Sequence, residues 1–157
     1  EMADIAAFVT GTPIMHNNGP TFTFTASGTI LAGQVVAIDA TGVSDTVRAA
    51  VAETGESPIG VALITVADGE KVNVALPGAI VYMTNADNTT AIDAGSFVET
   101  NDNAVGGCVS AVNEAASGAA TAVLHPLVIG KAIDDIAGGG YGRVIISYSP
   151  LTQANSS

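Results

Sequence analysis

Tryptophan is absent from these 157 residues, cysteine occurs once, and only four basic residues stand against 15 acidic ones. Each shortage excludes a class of answer. The lone Cys108 rules out an internal disulfide and any metal site built from several thiolates, which leaves a small buried hydrophobe as its expected role. Arg48, Lys71, Lys131 and Arg143 are scattered among carboxylates and the net charge is −11. No cation cluster is therefore present to displace the counterions of a nucleic acid or to hold an anionic membrane surface, and neither partner is expected. The acidity gives solubility and mutual repulsion between unassembled subunits. It would also suit a high-salt host, but charged residues make up only 12% of the chain. No run nears the roughly 18 consecutive apolar residues of a membrane-spanning helix. The first residues show no charged-then-apolar leader pattern, so a soluble chain is expected.

What is present is small and stiff. Apolar residues reach 48% while aromatics reach only 4%, so the core is expected from Val, Ile, Leu and Ala. β-Branched side chains lose little extra freedom on a pleated surface, and 18 Gly with 6 Pro cut the chain into short segments. The expected fold is mainly β: a compact β-barrel or sandwich-like domain at residues 21–150. An extended N-terminal arm at residues 1–20 precedes it, and a frayed tail at residues 151–157 follows.

Along the chain, Thr21-Phe22-Thr23-Phe24-Thr25 alternates strictly, which puts both phenylalanines on one face of a strand. Thr29 to Ile38 reads as two apolar runs hinged at Gly33. Ile59 to Leu63 and Val72 to Leu76, joined through Asp68-Gly69, read as a hairpin. Val81-Tyr82-Met83 adds a strand, and a last pair is read at Leu127 to Ile133 and Arg143 to Tyr148. The polar stretches Thr84 to Thr90 and Glu99 to Gly107 read as surface loops. Ser110 to Val123 reads as a short Ala-rich helix weakened by Gly118.

Two blocks recur. Ile30-Leu31-Ala32-Gly33-Gln34-Val35-Val36 matches Ile92-Asp93-Ala94-Gly95-Ser96-Phe97-Val98, and Pro58 to Leu63 matches Val128 to Ile133 and runs on to Gly69 against Gly139. A gap of two residues then places Val72 and Val74 opposite Val144 and Ile146. This gives pseudo-repeats at about 21–83 and 84–150. Two such lobes would complete one barrel or sandwich and close the sheet edges that neither covers alone.

Reactive constellations are missing. No serine lies in a Gly-x-Ser-x-Gly elbow. Of the two histidines, His125 precedes Pro126 in an apolar run, as a structural histidine does, and His16 sits in a turn. Gly130-Lys131 lacks the upstream glycine and following hydroxyl of a phosphate loop, so Lys131 reads as an exposed strand residue. Gly138 to Gly142 opens no helix and reads as a hairpin turn. The loops holding Asn85, Asp87, Asn88 and Asp93, and Glu99, Asn101, Asp102 and Asn103, are rich in oxygen. Neither has the spacing of a calcium loop, and solvated turns are expected. Asp134-Asp135, adjacent on a strand, would face opposite ways. No catalytic, cofactor or metal residue is assigned, and no enzyme is expected.

The stretch Thr21 to Val36, then Pro58-Ile59-Gly60-Val61-Ala62-Leu63, then Asp68-Gly69-Glu70-Lys71-Val72-Asn73-Val74-Ala75-Leu76, resembles the capsid decoration, or cement, proteins of tailed bacteriophages and archaeal viruses. The resemblance covers about the first half of the chain, which is longer than the short members of that family. It implies a homotrimer on the outer surface of a virion that clamps the major capsid protein and stabilises the shell, without catalysis. Ile5, Phe8, Val9 and Ile14 on the arm are the expected capsid contact, by addition of a strand to an exposed sheet edge. The other reading of the arm is a terminus docked on its own domain. The competing reading of the whole is a subunit of a viral fibre or spike, or of a cell-surface layer or filament.

Overall fold

A computed structural model of the chain describes residues 19–41, 43–50, 58–100, 108–110 and 128–147. Within them lie ten strands and no helix: β1 (Thr21–Ala26), β2 (Val35–Ile38), β3 (Thr46–Ala49), β4 (Pro58–Ala62), β5 (Lys71–Ala75), β6 (Ile80–Thr84), β7 (Phe97–Thr100), β8 (Cys108–Ser110), β9 (Val128–Ala132) and β10 (Tyr141–Ile146). The mainly β expectation holds. Assignments change at the edges: Thr84 ends β6 and Glu99 and Thr100 belong to β7 rather than to loops, Gly142 belongs to β10 rather than to the turn before it, and Ser110, the expected start of a helix, ends β8. Residues 1–18, 111–127 and 151–157, which include all but the last two residues of the arm, most of that helix and the tail, lie outside the described residues.

The first five strands close a barrel. β1 runs antiparallel to β5, from Thr21↔Ala75 to Thr25↔Lys71, and parallel to β3 through Thr25↔Thr46 and Ala26↔Val47. Antiparallel ladders β3–β2, β2–β4 and β4–β5 complete the circuit. A closed barrel leaves no sheet edge to recruit a stray strand. The last five strands form a second sheet in the order β6-β10-β9-β7-β8.

The two sets repeat each other ladder by ladder. Phe22↔Val74 in the barrel corresponds to Val81↔Val144, Val36↔Gly60 to Val98↔Gly130, and Ala62↔Val74 to Ala132↔Val144. The reciprocal bridge Ile30↔Val66 recurs as Ile92↔Ile136. Even a side-chain bond is kept in kind: the Ala32 N–H donates to Thr65 Oγ1 at 2.9 Å, and the Ala94 N–H to Asp135 Oδ1 at 2.8 Å. One ladder differs. The parallel pairing of β1 with β3 closes the barrel, and the described residues give no equivalent ladder between β6 and β8.

These registers revise the alignment read from sequence. β6 lies in the second sheet, so the division between the sheets falls between Ala75 and Ile80, ahead of the boundary at 83–84. Val74, not Val72, corresponds to Val144, and Val72 corresponds to Gly142, with no gap of two residues. The gap maximised apolar matches. The ladders obey hydrogen-bond register, and Ile136 fills the space of the lost valine.

Alternation along the strands produces two cores. Ala26, Ile30, Val36, Val47, Ala62, Val66, Val72 and Val74 form one buried cluster, with Phe24, Ile59, Ile64 and Leu76 packed at its margin; this is the barrel interior. Their strand neighbours Val35, Ala37, Val61 and Ala75 point outward, and water would reach them on a lone barrel. They are 0–1% exposed here. They share a second cluster with Val81, Met83, Ile92, Val98, Ile129, Ile136, Val144 and Ile146, the positions of the second sheet that correspond to the barrel interior. Strands β4 and β9 touch across this seam. The β2-β4-β5 side of the barrel is thus the lid on the core of the second sheet. Each valine or isoleucine it hides contributes about 1.5–3 kcal/mol relative to exposure.

Candidate interaction surfaces

Ile5, Phe8, Val9 and Ile14, the arm residues singled out for partner binding, lie outside the described residues, as do His16 and His125. The described residues hold no group of three or more His, Cys, Asp or Glu placed to bind a metal ion.

The oxygen-rich loop after β6 is engaged in holding itself. Asn85, expected in a surface loop, is 1% exposed. Its Nδ2 donates to the Thr90 carbonyl at 2.9 Å and to those of Ile136 and Ala137 at 3.3 Å, while its Oδ1 accepts from the Asp87 N–H at 3.0 Å. A buried amide with its capacity filled clips two turns together at little desolvation cost. Asp87 Oδ1 accepts from the Thr89 N–H and hydroxyl, each at 2.8 Å, and from the Thr90 N–H at 3.1 Å. These donors, the Thr89 N–H foremost, hold its carboxyl down at about 2. The same device recurs at Asp39, lowered to about 2 by the side-chain hydrogen bond from Ser27 and then by Thr41.

The adjacent pair Asp134-Asp135 leaves β9 in a bend, and each carboxylate has its own partner. Asp134 takes a two-pronged contact from Arg143, Nη2 to Oδ1 at 2.7 Å and Nε to Oδ2 at 2.9 Å, and this hydrogen bonding lowers its pKa. Asp135 accepts from Ala94 as described above. Each of the two carboxylates thus fastens a turn.

Among the described residues, exposed large apolar side chains mark three places besides Leu31 in the turn before β2. Phe22 is 51% exposed where the barrel begins, its ring 4.8 Å from that of Phe24. Ile38 and Val43 flank the turn between β2 and β3, where Asp45 takes a φ of 62°. The third place is the outer face of the second sheet. There Phe97 lies beside Lys131 across the β7–β9 ladder, and Lys131 beside Ile145 across β9–β10. Phe97, Ile145 and nearby Ile133 are 44%, 38% and 37% exposed. Lys131 is exposed as expected, and its Nζ lies 5.4 Å from the centre of the Phe97 ring. Sequence reasoning missed this face as a unit. The period-two pattern of Tyr141 to Ile146 signals that Ile145 faces away from Val144 and Ile146. Only the sheet order brings it beside Lys131 and Phe97.

No family model matches the chain, and no curated protein matches it. Among solved structures, its fold is similar to that of the head fiber gp8.5 N base of bacteriophage phi29, with a TM-score of 0.52 and 19% identity. The match covers 88% of this chain and all of that one.

Proposed function

We propose that this chain is a non-catalytic structural protein of a virion, which decorates the outside of the capsid and stabilises it by binding the major capsid protein. The observation that carries this reading is the end-to-end likeness of the fold to the base of a phage head fibre, which spans both sheets rather than one hairpin motif. Two features support it. The apolar residues go into two packed cores, while the side-chain carboxylates of Asp87, Asp134 and Asp135 fasten turns. The net charge of −11 suits a surface that faces away from packaged nucleic acid. Weak contacts repeated over a shell sum through multivalency to firm attachment.

The arm carrying Ile5, Phe8, Val9 and Ile14 is the proposed capsid contact, acting as an added strand on a sheet edge. Deleting residues 1–18 is expected to leave the circular dichroism spectrum of the β domain intact and to abolish co-sedimentation with undecorated capsids. Undiminished co-sedimentation would defeat the arm assignment. A second reading is favoured by the name of the similar structure: a base or segment of a fibre on the head. Cryo-electron microscopy of the native particle separates the two, since a decoration protein follows the capsomer lattice and a fibre base occupies isolated points.

A further inference from the structure

We infer that the outer face of the second sheet, centred on Phe97, Lys131 and Ile145, is a contact surface for a second copy of this chain. This goes beyond the virion reading and does not depend on it.

The repeated fold shows what the face is for. Its positions Phe97, Glu99, Lys131, Ile133 and Ile145 correspond to Val35, Ala37, Val61, Leu63 and Ala75 of the barrel. In the barrel that set is 0–4% exposed because another sheet of the same kind lies against it. In the second sheet the equivalent positions keep three large apolar side chains, each more than a third exposed. An unpartnered sheet face of this kind is normally polar along its outward positions. The demonstrated occupant of the equivalent face is a unit of this fold.

Charge selects a second copy and sets its orientation. The face carries Lys131 and Glu99, diagonal to each other across the β7–β9 ladder with Phe97 at the corner between them, while its second cation, Arg143 beside Ile133, is held by Asp134. A two-fold axis lying between two such faces and passing over Phe97 sets Lys131 of each copy opposite Glu99 of the other, and stacks Phe97 on its counterpart. Isologous contacts of this form are self-complementary. Elsewhere the copies, each at −11, repel. An axis that exchanges those two positions runs at about 45° to the strands, so the faces meet with their strands near-perpendicular, the orthogonal class of sheet packing.

Sedimentation velocity of the full chain over a range of concentrations tests the inference. Wild type is expected to form a reversible dimer. Lys131→Glu and Glu99→Lys are each expected to weaken it about tenfold or more, since each places like charges opposite one another. An equimolar mixture of the two variants is expected to restore association as a mixed dimer, a result that a merely unfolded variant cannot give. A wild type that stays monomeric overturns the inference. So does a higher oligomer that both variants leave unchanged, or a mixture that fails to associate.

Discussion

Two residues trade volume between the equivalent cores of the two sheets. Val72 of the barrel corresponds to Gly142 in the second sheet, and Val66 corresponds to the larger Ile136. A Cβ added at Gly142 would overlap the Cγ1 of Ile136, so the isoleucine occupies the space that the Val72 side chain fills in the barrel. Gly142→Val is expected to cost about 1–3 kcal/mol by overpacking. Adding Ile136→Val recreates the barrel's pairing, removing Cδ1 and letting the remaining γ carbons turn aside, and is expected to recover part of that loss in urea denaturation. Equal instability of single and double variants would show that the glycine serves its backbone instead. This trade of volume between two residues explains why the sequence alignment failed here: it matched valines where the structure matches space.

Strands β4 and β9 carry the repeat's clearest motif, Gly60-Val61-Ala62 and Gly130-Lys131-Ala132. The motif was visible in the sequence, and its cause was not. Each glycine sits where the pairing with β2 or β7 slips by one residue. There the next strand crowds in, and a Cβ on Gly60 or Gly130 would overlap the carbonyl oxygen of Ala75 or Ile145. The irregularity bends the strand, as bulges do, and no side chain fits in the bend. Gly130→Ala is therefore expected to destabilise by about 2–4 kcal/mol. Hydrogen exchange would register it as lost amide protection at Ile133 and Ile146, whose N–H groups donate to Arg143 and Ala79 across this region. Gly69→Ala, where a Cβ meets nothing but the φ is +78°, is expected to cost less, about 1 kcal/mol. The order would reverse if backbone conformation rather than contact governed these sites.

At the scale of the whole molecule, acid is the simplest probe of the turns that hold the sheets together. Asp39 and Asp87 have pKa values of about 2 against an ordinary 3.8, and that of Asp134 is lowered by Arg143. A carboxyl whose folded pKa lies below its unfolded value adds stability that is complete above the unfolded value and lost as pH falls through the folded one. The melting temperature is thus expected to be level above pH of about 5 and to drop between about 3.8 and about 2. Asp39→Asn with Asp87→Asn is expected to flatten that drop; an unchanged slope would assign it to general charge imbalance. The sequence by itself determined the class of the molecule and most of its strands, because alternation and β-branching act over a few residues and show in any short window. It also determined that four scattered basic residues stand against 15 acidic ones, since charge is a sum over the chain. Only the tertiary structure decided that Val35, Val61 and Ala75 lie in an inner seam while Phe97, Lys131 and Ile145, at the same positions of the repeat, face outward. Period-two patterns assign side chains to one face or the other. Which face water reaches depends on what packs against the sheet, and that is fixed by contacts between residues far apart in the chain.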